Sequence, residues 1–227
     1  MNYIDIIILV FIGLILLEGF KKGLIKMTFE TLGLIIAFFI SKQYSYIVEE
    51  FLLNRTKLYL IVHDFFQNKA QWLTQMIQEG TTDVVAKFKE IIKLPQEMQM
   101  IFIDSFKDGA VNNFDMFVNN ISDFIVKSIS FLVTFLIVYL LLLIICNIAD
   151  TILKLPLLNL TNKIGGCIIG IVKGVLILYL VFALSSPLIA FMPENNIVKN
   201  ITESKSHEFF YDKNIILNYL SYKGFYE

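Results

Sequence analysis

The chain has 227 residues, of which 56% are hydrophobic, and a formal net charge of −1. Soluble domains carry about 45–50% apolar residues, so the excess points to membrane segments, and the near-zero charge leaves no basic footprint for nucleic acid. Two cysteines, Cys146 and Cys167, both in apolar runs, exclude a disulfide framework and a multi-cysteine zinc site.

The first apolar run spans residues 3–17, and 3–20 if extended to Phe20. That is about 27 Å of helix at about 1.5 Å per residue, close to one hydrocarbon core. Asp5 stands where a signal peptide would be basic, and no small-x-small site follows, so the run reads as a retained membrane helix. Gly19 and Gly23 bracket an expected tight turn around Lys21 and Lys22. The second run, 24–40, carries Lys26 and Glu30. Four residues apart on one helix face, they are placed to pair. Residues 1–41 thus form a membrane hairpin.

Residues 42–127 change character: charges return and glycine and proline are scarce. The stretch 44–79 reads as helix broken near Asn54. Val84, Val85, Phe88, Ile91 and Ile92 follow an amphipathic helical spacing, and Pro95 suits the first turn of another helix. We expect an extracytoplasmic helical insert, packed on the chain itself or on a partner. Phe114, Phe117, Ile121, Phe124, Ser128, Phe131 and Phe135 alternate spacings of three and four. This predicts one long helix over 112–149, its apolar seam meeting the insert or a second copy.

Its last part, 129–149, is the cleanest spanning run. A short connection with Lys154 and Lys163 leads to a fourth run over 164–192, too long for one straight crossing: either it kinks at Ser185-Ser186-Pro187 or its glycine stretch lies partly at the interface. Residues 128–192 form a second hairpin. The tail, 193–227, suggests one short amphipathic helix around Ile215, Ile216, Tyr219 and Leu220. The expected fold is an all-α integral membrane protein: four transmembrane helices with a helical insert between the second and third. The basic short turns favour a cytoplasmic location for both turns, which places the termini and the insert outside.

Gly166, Gly170 and Gly174 recur every four residues. On a helix they make a stripe that lets another backbone approach closely. Lys173 lies among them in an apolar run and needs pairing, water or snorkelling. An ordinary packed helix with a snorkelling lysine and a deliberately placed cation both fit.

Two stretches resemble the colicin V production family of bacterial membrane proteins. The first is Tyr3-Ile4-Asp5, an apolar run, then 19–26, where Lys22, Gly23 and Lys26 take the family's basic, glycine and second basic places. Leu24 replaces an aromatic and Met27 an acid, for which Glu30 is the candidate substitute. The second is 162–174, where Asn162, Lys163, Gly166, Gly170, Lys173 and Gly174 fall on an Asp-Arg-x-x-Gly-x-x-x-Gly-x-x-Arg-Gly pattern. Asn162 replaces the acid, so a neutral bond is expected where the family would form an ion pair. The resemblance covers about half the chain. The insert is longer than in typical members, and nothing is carried over to it.

The resemblance implies a multi-pass protein of the bacterial cytoplasmic membrane, accessory to toxin production or export or to envelope upkeep. Its expected partners are the lipid bilayer, anionic headgroups, envelope or secretion proteins, or a second copy. Asp5, Lys22, Lys26, Glu30 and Lys173 are the candidates for ion pairs or headgroup contacts. The alternative is a small transporter or channel subunit using these charges. His63 and His207 are isolated, and no nucleotide-binding, metalloprotease or hydrolase motif occurs. No enzyme, cofactor or metal is expected.

Overall fold

The computed structural model describes residues 2–69, 113–153, 159–191, 196–216 and 219. The amphipathic pattern at 84–92 and the helix expected from Pro95 lie outside them, as does Leu220. Among the described residues the fold is helical, without a strand. The helices are α1 Tyr3–Arg55, α2 Leu58–Lys69, α3 Asn113–Leu153, α4 Leu160–Phe191 and α5 Asn196–Thr202, followed by a π-helical turn Glu208–Asp212. Among the described residues three helical stretches are long and apolar enough to cross a membrane: Tyr3–Arg55, Val118–Ile148 and Leu160–Ser186.

The first of these is two helices joined at a reversal. Its 53 residues would extend about 80 Å if straight, but Gly23 leaves helical geometry at φ 78° and ψ 171°. That backbone region is essentially open to glycine alone. Arm one (3–22) runs down α4: Ile15 stands against Gly170 and Gly174, and Gly19 against Gly166. Arm two (24–55) runs back up it, with Leu24 against Gly165, Met27 against Gly170 and Glu30 bonded to Lys173. Gly23 alone breaks the helix. Gly19, expected to share the turn, stays helical and serves as a contact surface. We expect Gly23→Ala to cost about 1–3 kcal/mol, the usual cost of holding a side chain in a sparsely populated backbone region. Thermal unfolding in detergent checks this.

Helix α3 lies antiparallel to arm two, with Phe131 against Phe38 and Leu142 against Gly33. Arm two presents a second stripe of small residues, Gly33, Ala37, Ser41 and Ser45, all buried. The hydroxyls between these helices are largely satisfied within their own helices. Ser41 donates to the Ala37 carbonyl, Ser122 to Val118, Ser130 to Val126 and Thr134 to Ser130. The aromatic seam of α3 continues as expected through buried Ile121, Phe124, Ser128, Phe131 and Phe135. Phe131 and Phe135 pack inside the chain, on Leu34, Ala37 and Leu180. The expected boundaries at 41/42 and 127/128 fall within continuous helices, and the break expected near Asn54 comes just after it, at Thr56 and Lys57.

Helix α4 runs unbroken through the expected kink at Pro187. Proline has no N–H to give to Ala183, four residues back. The Ser186 hydroxyl supplies that carbonyl instead, at 2.7 Å, and the helix continues to Phe191. Higher on the bundle the two arms occupy different faces of α4. Ile4, Ile8, Phe11 and Ile12 of arm one pack with Val175, Leu178, Tyr179 and Phe182. Leu34, Ala37 and Phe38 of arm two pack with Leu176, Ile177, Leu180 and Leu184. Arms that share one glycine stripe at the turn are therefore spread apart at the far end.

The tail is helical at Ile215, Ile216 and Tyr219, where a short helix is expected, and adds further structure before it. After α5 it forms tight turns and the π-helical turn, which place Phe210 and Tyr211 in the core with Tyr179 and Phe182. Asn214 is 1% exposed and donates to the carbonyls of Tyr179 and Phe210 at 2.9 and 2.6 Å. The buried Tyr211 hydroxyl donates to the Ser186 carbonyl at 3.3 Å.

Candidate functional site

The two sequence stretches that carry the pattern, 19–30 and 162–174, face each other across the base of the bundle. Their contact is built in three layers.

The lowest layer seals the turn. Asn162, at the start of α4, accepts the backbone N–H of Leu24 through its Oδ1 at 2.9 Å. That N–H is one of the donors left without an intrahelical partner where arm two begins. Asn162 therefore caps another helix from across the contact, as a capping asparagine does within one chain segment. The neutral bond expected at this position is thus a bond to backbone. Beside it the Lys163 ammonium lies 5.4 Å from the centre of the Phe20 ring, within cation–π range.

The middle layer is backbone against backbone. A methyl group on Gly166 would meet the Gly19 carbonyl oxygen and lie 2.8 Å from Cα of Gly23. One on Gly170 would lie 2.8 Å from the Ile15 carbonyl oxygen. One on Gly174 would make only ordinary contact with Ile15, at 3.7 Å and beyond. Steric demand along the stripe therefore falls from the turn upward, as the arms separate.

The upper layer is charged. Glu30 is 2% and Lys173 4% exposed. Lys173 Nζ donates to Glu30 Oε2 at 2.9 Å. Lys22 Nζ donates to both Glu30 oxygens, at 2.6 and 2.8 Å. Lys22 also bonds Glu18 one turn earlier, and Glu18 lies 3.8 Å from Lys173. Two carboxylates and two ammonium groups from three helical segments close a neutral four-membered network. Its inner half, Glu30 and Lys173, is buried; its outer half, Glu18 and Lys22, reaches the surface of the bundle. The buried Tyr139 hydroxyl closes no hydrogen bond among the described residues. Its ring centre lies 6.0 Å from the Lys173 ammonium. Tyr139 stacks on Phe135, and Phe135 on Phe131, so apolar rings follow the charges up the bundle.

Several sequence expectations are rearranged here. Glu30 is held by Lys22 and Lys173, while Lys26, expected to pair with it, lies one turn back on arm two. Asp5 sits at the opposite end of the bundle, away from all three lysines. It takes part in a capping box with Asn2 and accepts the Ser206 N–H and hydroxyl at 3.0 and 2.6 Å. Glu18 and Tyr139 were not among the candidates. Glu18 had one available signal, its spacing of four from Lys22. Tyr139 had none, because a tyrosine in an apolar run reads as packing.

Among the described residues no group of three or more histidine, cysteine or acidic side chains is placed to hold a metal. The network offers no nucleophile beside a base, and what it does chemically is to neutralise itself.

A family model described as Colicin V production protein matches residues 4–87 and 100–214. The match is wider than the two quoted stretches. It takes in most of the region 42–127, to which nothing had been carried over, and reaches well into the tail. No curated protein and no solved structure matches the chain.

Proposed function

The chain belongs to the colicin V production protein family, and on that premise we propose that it is a non-enzymatic, four-crossing scaffold of the bacterial cytoplasmic membrane. It serves toxin production or export, or the upkeep of the envelope, through secretion or envelope proteins or a second copy of itself. The observation that carries this reading is the closed contact between 19–30 and 162–174. The residues of the family pattern are spent on capping, close packing and mutual neutralisation, which suits a rigid platform.

Four crossings follow from counting α1 as two arms. Exposed Lys21 and Phe20 with half-buried Lys163 mark one end of the bundle, and exposed Tyr3, Tyr44 and Tyr46 the other. From Gly23 to Tyr44 arm two covers about 30 Å, the thickness of a hydrocarbon core, and interfacial lysines and tyrosines are the usual borders of such a slab. The basic end faces the cytoplasm, and both termini face outward with residues 45–127.

A transporter or channel subunit is the second reading, favoured by the ionisable Glu30 and Lys173 within the slab. The rings of Tyr139, Phe135 and Phe131 above them weigh against a continuous polar path. Lys173→Met separates the two readings: lost flux with intact folding supports transport, and lost folding supports the scaffold.

Sidedness is tested by thiol labelling of intact cells with Cys146 and Cys167 replaced. Lys57→Cys is expected to react with an impermeant reagent from outside, and Lys21→Cys only after permeabilisation. The reverse pattern would turn the protein over and make residues 45–127 a cytoplasmic module. The role itself is tested by deleting the chain from its host. Lower bacteriocin activity in the medium, or increased dye leakage through the envelope, is expected. Unchanged values of both would overturn the accessory role.

A further inference from the structure

At the end of the bundle away from Gly23 the two arms leave different faces of α4 exposed, and the tail fills the gap. Ser206 is bonded to Asp5 at the start of arm one. Phe210 lies against Tyr179 and Phe182 of α4. Ile216 packs on both core clusters, and Tyr219 meets Phe38 and Phe39 of arm two. One segment thus touches arm one, α4 and arm two in turn.

The depth of this segment can be counted along α4. Gly166 lies level with the turn, and Tyr179, whose carbonyl receives the Asn214 side chain, lies about 20 Å farther along the helix. With a hydrocarbon core of about 30 Å, Asn214 is about 10 Å inside the opposite boundary. Irregular backbone at that depth is tolerated only where protein or trapped water satisfies it. The inner side of the tail meets this condition through Asn214, Tyr211 and the Asp5 bonds. Its outer side carries Phe209 at 52% and Ile215 at 67% exposure. Phe209 stands beside Tyr179 of α4 at 5.3 Å between ring centres. On the turn Lys213 pairs with Glu208 at 2.6 Å and His207, when protonated, with Asp212 at 3.1 Å, while Lys205 at its start is exposed.

We infer that residues 205–216 form a re-entrant wedge that enters the outer leaflet between the two arms, with Phe209 and Ile215 in contact with lipid acyl chains. The occupant of this face is lipid because Phe209 and Ile215 stand exposed at a depth that the count along α4 places inside the hydrocarbon core. The inference rests on the four-crossing reading above.

The test uses single-tryptophan variants of the full chain in vesicles of brominated phosphatidylcholine. Trp72 is replaced by phenylalanine, and tryptophan is placed at Phe209, at Ile215 or at exposed Leu140 on α3 as a reference. Phe209→Trp and Ile215→Trp are both surface changes, so each serves if the other fails to fold. The expected result is a loss of emission at positions 209 and 215 comparable with that at 140. Quenching at 140 with none at 209 or 215 would overturn the wedge while leaving the bundle in the bilayer. That result would arise whether the face is open to water, which iodide quenching would reveal, or covered by protein. No quenching at any of the three would remove the membrane reading itself.

Discussion

Replacing Glu30 with alanine is expected to destabilise the bundle by about 3–5 kcal/mol, the cost of breaking a buried ion pair by removing one partner. Glu30 accepts hydrogen bonds from both Lys22 and Lys173. Its loss leaves Lys173 buried, with Glu18 at 3.8 Å as its remaining carboxylate neighbour. Lys22 keeps Glu18 and lies closer to the surface, so most of the penalty falls on Lys173. Removing both buried charges is different: a buried pair replaced by apolar groups of similar volume is often neutral or stabilising. Glu30→Met with Lys173→Met should therefore recover most of the stability lost in Glu30→Ala. Thermal unfolding in detergent, followed by resistance to proteolysis, measures both variants. A double variant as unstable as the single one would mean that the network holds the helices through specific bonds. A Glu30→Ala protein as stable as the wild type would show that water or lipid headgroups already satisfy Lys173.

How much of this was legible in the sequence depended on how far apart the cooperating residues lie. The long α3 could be read because its seam repeats within a few residues, from Ile121 to Phe135. The stripe at 166, 170 and 174 could be read for the same reason. The sequence supplied the residues of the charged network without its pairing. Lys26 and Glu30 are local partners on paper, yet Glu30 is met by Lys173, 143 positions away, and by Lys22 from across the turn. Both pairings exist only because the chain reverses at Gly23, and neither Gly19 nor Gly23 declares from sequence which of them breaks the helix. Asp5 was drawn toward the lysines by charge alone, but arm one carries it to the other end, where backbone donors satisfy it. The stripe Gly33, Ala37, Ser41 and Ser45 went unnoticed because alanine and serine in an apolar run do not stand out as glycines do. The turns before Ile215 could not be read because their burial rests on Asn214 and Tyr211, polar residues that carry no periodic signal.

Gly166→Leu is expected to separate the hairpin from α4, with a loss at or above the upper end of the roughly 1–3 kcal/mol typical of overpacking. Overpacked cores usually relax by moving side chains, but at Gly166 the obstructing atoms are backbone: the Gly19 carbonyl oxygen and the Cα of Gly23. Neither can turn aside, so the helices must part. Parting them also pulls Asn162 from the Leu24 N–H and Lys173 from Glu30, because all three contacts share one interface. The effect should decline along the stripe. Gly170→Leu meets the Ile15 carbonyl oxygen and the movable end of Met27 and should be less disruptive. Gly174→Ala meets ordinary contact distances and should be mild. Gly13 is the internal control: nothing lies within 4 Å of a methyl placed there. Gly13→Ala should be neutral, or stabilising by up to about 1 kcal/mol, since alanine replaces the poorer helix former. Unfolding midpoints for the four variants, read beside extraction from the membrane as a monodisperse species, test the gradient. Equal losses at 166, 170 and 174 would point to a general intolerance of bulk in this helix. Equal indifference would show that the close approach of Gly19 and Gly166 contributes nothing to holding the bundle together.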